Sequence, residues 1–215
     1  MSENNSSETG KFLKAAAGGG TPDWGALLAR HRERLRRMVM LRLDQRLQGR
    51  VDPSDVLQEA FLEAAKHLKD YLSRPAMPFY LWLRSITGHK LLALHRQHLG
   101  TNMRDAGREV SLYRGSLPET SSAALAAHLI GQDTRPSEAA VRAERKILLQ
   151  AALNSMDVID REVLALRHFE QLSLAEVAQV LDIKEKAAGK RYLRALQRLK
   201  NILRAIPGGM EGLSP

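Results

Sequence analysis

Residues 153–206 read LNSMDVIDREVLALRHFEQLSLAEVAQVLDIKEKAAGKRYLRALQRLKNILRAI, and the punctuation within that stretch sets the fold. Asp157 can cap a short helix over Arg161, Val163, Leu164 and Leu166, with Asp160 in the first turn, where a carboxylate meets unpaired amides. Gln171-Leu172 ends that element. Ser173-Leu174-Ala175-Glu176 is a Ser-x-x-Glu capping box, in which each side chain satisfies a first-turn amide. The helix it opens carries Val177, Ala178, Val180 and Leu181, and Leu181-Asp182-Ile183 makes the turn. A longer helix then puts Ala188, Tyr192, Ala195 and Leu199 on one stripe at spacings of three and four. With that stripe on the core, Lys186, Gly189, Lys190 and Arg194 face outward. Such a helix, presented by a shorter one across a tight turn, has the shape that enters a DNA major groove.

Charge agrees with shape. From Lys184 to Arg204 eight cations stand against Glu185 alone, a net +7 in a 215-residue chain whose formal net charge is +9. A sequence pI near 10.1 points to a polyanionic partner. A basic helix is often just a solvated face; the capping and turn residues around this one favour DNA. Charge by itself does not separate nucleic acid from an anionic membrane surface. No apolar run approaches the roughly 20 residues that span a bilayer, so no membrane role is expected. The first residues are polar, without a hydrophobic signal core. The absence of cysteine excludes disulfides and Cys-ligated metals and fits a reducing, cytoplasmic setting.

Working toward the N-terminus, Ser137 caps a helix with Ala140, Val141, Ile147, Leu148 and Ala151 expected inside. Residues 100–136 lose the helical period and collect Gly, Ser, Thr and Pro, with only Ala123 to Leu129 locally helical; they read as a linker between two domains. Before it, three helices are expected. Thr21 caps the first, with Pro22 in its first turn, and its inner stripe is Trp24, Leu27, Leu28, Leu35, Met38, Val39 and Leu43. Its outer face is basic, from Arg30 through Arg42 and Arg46, and Gly49 stops it. Asp52 caps the second, Pro53 takes its first position, and Val56, Leu57, Ala60, Phe61, Ala64 and Leu68 face in. Met77-Pro78 starts the third, where Phe79, Trp82, Leu83, Ile86 and Leu94 can pack, and Gly100 ends it. The expected fold is all-α: a disordered tail 1–21, a helical domain 22–99, a linker 100–136, a helix-turn-helix domain 137–206 and a tail 207–215.

Three stretches carry a family resemblance. Asp52-Pro53-Ser54-Asp55-Val56-Leu57-Gln58-Glu59-Ala60-Phe61, then Phe79-x-x-Trp82-Leu83-Arg84-x-Ile86, then Asp160 to Leu164 with Leu172 to Ala178, together resemble the bacterial RNA polymerase sigma factors of the extracytoplasmic-function (ECF) type. They fall in the family's order and at suitable spacing, over residues 24–98 and 138–204. The resemblance implies core RNA polymerase and promoter DNA as partners, leaves an anti-sigma factor as a further candidate, and implies no cofactor and no enzymatic step. It implies docking on polymerase by Asp52, Asp55, Gln58 and Glu59. It implies contacts to the −10 element from Arg84, His89, Lys90, His95 and Arg96. It implies contacts to the −35 element from Lys184, Glu185, Lys186, Lys190, Arg191 and Arg194. Physically, outward carboxylates suit a basic partner, cations track phosphates, and Glu185 can accept from a cytosine amino group. Gly189 departs from the family, which carries a side chain there; it either admits close backbone approach to DNA or forfeits a contact. Ala188 is smaller than the family's usual valine, so Tyr192 is expected to fill the space.

Other classes fit less well. An operator-binding regulator with a helical sensor domain would need a dimerisation heptad, and none is visible. An enzyme working through the Asp52 cluster would need a phosphate-cradling Gly loop or a nucleophile motif. His89, His95 and His98 share one helix, but offsets of six and nine do not share a face, so they make no chelate.

Overall fold

Two helix starts read from capping residues, at Asp52 and Ser173, recur in the structure, a computed structural model that describes residues 9–15, 23–99, 120–130 and 139–205. Among the described residues the only extended pairing is one isolated bridge, Gln48 with Val51. The elements are α1 (residues 9–15), α2 (Trp24–Arg42), a 3-10 turn (Gln45–Leu47), α3 (Pro53–Ser73), α4 (Phe79–Leu99), α5 (Ser122–Ile130), α6 (Ala139–Asn154), α7 (Val158–Leu164), α8 (Leu174–Leu181) and α9 (Glu185–Ala205). The chain divides into two units, 1–118 and 119–215.

In the first unit α2, α3 and α4 pack together. Their core is Leu27, Leu35, Met38, Val39 and Leu41 of α2, Val56, Leu57, Ala60 and Ala64 of α3, and Leu83 and Leu91 of α4. One end is closed by aromatic rings. Tyr71 stacks on Trp82 with centroids 4.6 Å apart, Phe79 lies 5.5 Å from both rings, and the Tyr71 hydroxyl donates to the Met77 carbonyl at 2.9 Å. Asp52 caps α3 as expected, its Oδ1 accepting from the Ser54 N–H at 2.7 Å, with Pro53 in the first turn.

Several expectations need correction. Residues 9–15, expected in a disordered tail, form a helix on α2: the Thr9 hydroxyl is 3.4 Å from Nε2 of His31, and the Arg30 guanidinium lies 5.5 Å from the Phe12 ring. Asp23 caps α2, accepting from the Ala26 N–H at 3.0 Å; Thr21 and Pro22 lie outside the described residues. α2 stops at Arg42, not at Gly49, which instead takes φ +80° in the turn before α3, a conformation that costs glycine little. Arg42 is buried, so it leaves the basic outer face of α2.

The second unit begins earlier than expected. α5 packs on α6 and on the end of α7, with Leu125 and Ala126 fully buried, the His128 ring 4.1 Å from that of Phe169, and the Thr120 hydroxyl donating to Glu162 at 2.6 Å. It is part of the domain rather than of a linker; residues 100–119, 131–138 (Ser137 among them) and 206–215 lie outside the described residues. α6 is also rotated from the expected face. Leu149, Ala152 and Leu153 are buried, whereas Val141 and Ile147 are exposed, Ile147 by 68%. The run Ile147-Leu148-Leu149 satisfies the helical period in two registers, and the positions of α5 and α9 select one of them.

Candidate nucleic-acid and partner interfaces

α8 and α9 are built as their sequence dictates. Ser173 Oγ accepts from the Glu176 N–H at 3.1 Å, and the Glu176 carboxylate accepts from the Ser173 N–H at 2.8 Å. Asp182 takes φ +50° at the end of α8, and its N–H and that of Ile183 close the last carbonyls. Ala188, Ala195 and Leu203 are the buried stripe of α9, with Tyr192 and Leu199 half-buried beside them. The Tyr192 hydroxyl meets Nε2 of His168 at 2.9 Å on the π turn, Ala165–Phe169, that prolongs α7. Burial, then Arg167 and His128, lower the His168 pKa, so its ring sits there neutral.

The outer face of α9 is cationic. Lys184, Glu185, Lys186, Lys190 and Arg194 are exposed and Arg191 is half-buried, so all six residues assigned to this face reach solvent. Two neighbours behave otherwise. Arg198 is turned back onto α7, where its guanidinium donates to Asp157 at 2.7 Å and to the buried Asp160. Asp157 therefore ties α7 to α9 and makes no side-chain cap, contrary to expectation. Gly189, expected to face outward, faces α8 instead: a Cβ built there would lie 3.6 Å from Cδ1 of Leu174, an ordinary contact.

On α3, Asp52, Asp55, Gln58 and Glu59 are all exposed. The Ser54 amide, with Arg36 and Arg32 more distant, lowers the Asp52 pKa. The same face holds Leu62, 62% exposed, three residues beyond Glu59 and seven beyond Asp55. Sequence reading missed it. The available signal was an apolar residue standing outside the Val56, Ala60, Ala64 stripe.

The residues assigned to the −10 contact do not form one surface. His89 and Arg96 are exposed. Lys90 donates to Glu63 at 3.2 Å across α3 and α4; Lys90, His67 and Lys66 in that order hold the Glu63 pKa at about 2. His95 is buried and its Nε2 accepts from the Asp44 N–H at 3.3 Å; burial lowers its pKa, keeping it the neutral acceptor that this bond needs. Arg84 is buried as well. His95 and Arg84 thus sit inside the first unit. Among the described residues no cluster of His, Cys, Asp or Glu could hold a metal ion, and no helix is long and apolar enough to cross a membrane.

Comparison with known proteins bears on both units. The family described as sigma-70, region 4 matches residues 146–199, which hold α7, α8 and most of α9. The ECF RNA polymerase sigma factor SigD of Mycobacterium tuberculosis, and that of Mycobacterium bovis, is 31% identical over 147 residues, 68% of this chain. The chain spans 61% of the length of these curated relatives. Among solved structures, that of CnrH in complex with the cytosolic domain of CnrY superposes with a TM-score of 0.51 at 24% identity, covering 91% of this chain and 97% of CnrH. That likeness is one of fold.

Proposed function

The chain carries a sigma-70 region 4 domain and is related to the sigma factors of the extracytoplasmic-function type, and from that premise we propose that it binds core RNA polymerase and directs it to promoters, without covalent chemistry, in the cytoplasm. The observation that carries the reading is a pair of exposed helix faces of opposite charge on one chain. α3 offers Asp52, Asp55, Gln58 and Glu59 around Leu62; α9 offers Lys184, Lys186, Lys190, Arg191 and Arg194 with Glu185. An acidic face with an apolar centre suits a basic protein surface, and a cationic helix behind a short capped helix suits the major groove. In this reading α3 docks on polymerase and α9 contacts the −35 element. In the same reading the exposed His89 and Arg96 of α4 contact the melted −10 strand, with Lys90 available on release from Glu63. CnrH is in complex with the cytosolic domain of CnrY, and in this reading a partner of the anti-sigma kind would regulate this chain by covering one of these faces.

Co-elution of the purified chain with core RNA polymerase tests this. A complex is expected with the native chain and is lost when Asp55→Lys and Glu59→Lys are combined, while affinity for duplex DNA stays near normal. Independent elution of the native chain, with tight binding to a palindromic duplex, would instead favour an operator-binding regulator.

A further inference from the structure

The outward face of α9 contains one side chain that neither the helix nor the core requires. Leu193 is 65% exposed. It lies three residues beyond Lys190, seven beyond Lys186 and four before Gln197, so it shares their face. At 3.6 residues per turn it points about 140° around the axis from the buried Ala188. Lys186, Lys190 and Gln197 on that face are all exposed, with the Gln197 amide donating to Asn201 at 2.8 Å. Lysine, glutamine or glutamate would serve the helix equally well at this position, and none would place an apolar surface amid cations.

A major groove offers a single apolar group to such a side chain, the C5-methyl of thymine. Lysines beside the leucine can pair with phosphates and hydrogen-bonding base edges; the leucine can do neither. We propose that Leu193 is a specificity-determining residue that reads a thymine methyl in the upstream promoter element. This rests on α9 being the recognition helix. Its contribution is a preference for thymine at one position, worth about fourfold in affinity, the value of burying one methyl-sized group.

The test uses the full chain assembled with bacterial core RNA polymerase. Duplexes are selected from a randomised library, and each thymine of the selected upstream site is replaced in turn by uracil, which differs only in lacking the methyl. Affinities are measured at fixed salt for the native chain, for Leu193→Ala, and for Lys186→Ala combined with Lys190→Ala. One uracil position should cost the native chain about fourfold and cost Leu193→Ala nothing. If no position behaves so, while the lysine pair weakens binding, the methyl reading falls and the recognition helix stands. If the lysine pair changes nothing, α9 is not on DNA and both fall.

Discussion

Lowering the pH should destabilise the first unit through His31, and the size of the effect follows from the ring's surroundings. His31 is buried on α2 between Phe79 and Tyr80, with ring centroids 5.6 and 5.7 Å away, under Thr9 of α1; its Nδ1 has no hydrogen-bond partner. Burial first, then the nearby guanidiniums of Arg34 and Arg30, hold its pKa at about 4 against an ordinary 6.5. The folded state therefore resists a proton that the unfolded chain accepts. Stability is full above pH 6.5 and declines as pH falls from 6.5 toward 4, below which both states are protonated and the loss is complete. At about 1.4 kcal/mol per pH unit the loss is about 2 kcal/mol at pH 5 and approaches about 3 kcal/mol at full extent. Both tryptophans, Trp24 and Trp82, lie in the first unit, so urea unfolding followed by tryptophan fluorescence reports that unit. Melts of the native chain and of His31→Phe at pH 7 and pH 5 give the comparison. His95 titrates in the same sense, so the difference between the two proteins isolates His31. His31→Phe should lose about 2 kcal/mol less than the native chain between these pH values, and His31→Gln, which is also uncharged, should agree. Equal losses in all three would show that the ring protonates in place, and would refute the reasoning.

The other predictions concern the two exposed faces and their supports. Gly189→Ala should stabilise the second unit by up to about 1 kcal/mol, since alanine adds helix propensity and its Cβ fits against Leu174; a lower Tm would show that the site is tighter than 3.6 Å implies. Arg198→Met should lower the Tm of the second unit more than Arg194→Met does, because it strands the buried Asp160 carboxylate without its cation; equal effects would mean the α7–α9 tie is inert. Leu62→Ala should weaken binding to core polymerase by at least about fivefold with the fold intact, as expected for an apolar centre within a charged rim; unchanged affinity would move the docking surface off this face. Lys186→Ala with Lys190→Ala should reduce the log-log salt dependence of duplex binding by up to roughly two, and an unchanged slope would remove both lysines from phosphate.

Much of the candidate site was legible before any coordinates. Capping is a local transaction between residues two or three apart, so Asp52 on Ser54 and Ser173 with Glu176 were readable, and the capped helices fell where those residues put them. The outward cations of α9 followed from one clear stripe through Ala188, Tyr192, Ala195 and Leu199, whereas Gly189, read as outward, sits against Leu174 of α8, which the helix's own period does not show. Periodicity failed where both registers are apolar, as on α6, and where a cation is buried, as with Arg42 and Arg84. His95 read as a polar candidate on a helix because its partner, the Asp44 amide, is 51 residues away in sequence.

Charge, capping residues and apolar spacing in the sequence determined that this chain is helical, that it ends in a helix-turn-helix with a cationic outer face, and that an acidic helix start precedes it. These are properties of neighbours along the chain. Only the tertiary structure decided which polar groups remain available to a partner. It took Arg198 to Asp157 and Asp160, Lys90 to Glu63 and His95 to the Asp44 amide, and it left Leu62 and Leu193 in solvent. The physical reason is that a side chain's availability depends on the desolvation and pairing imposed by elements that arrive from elsewhere in the sequence.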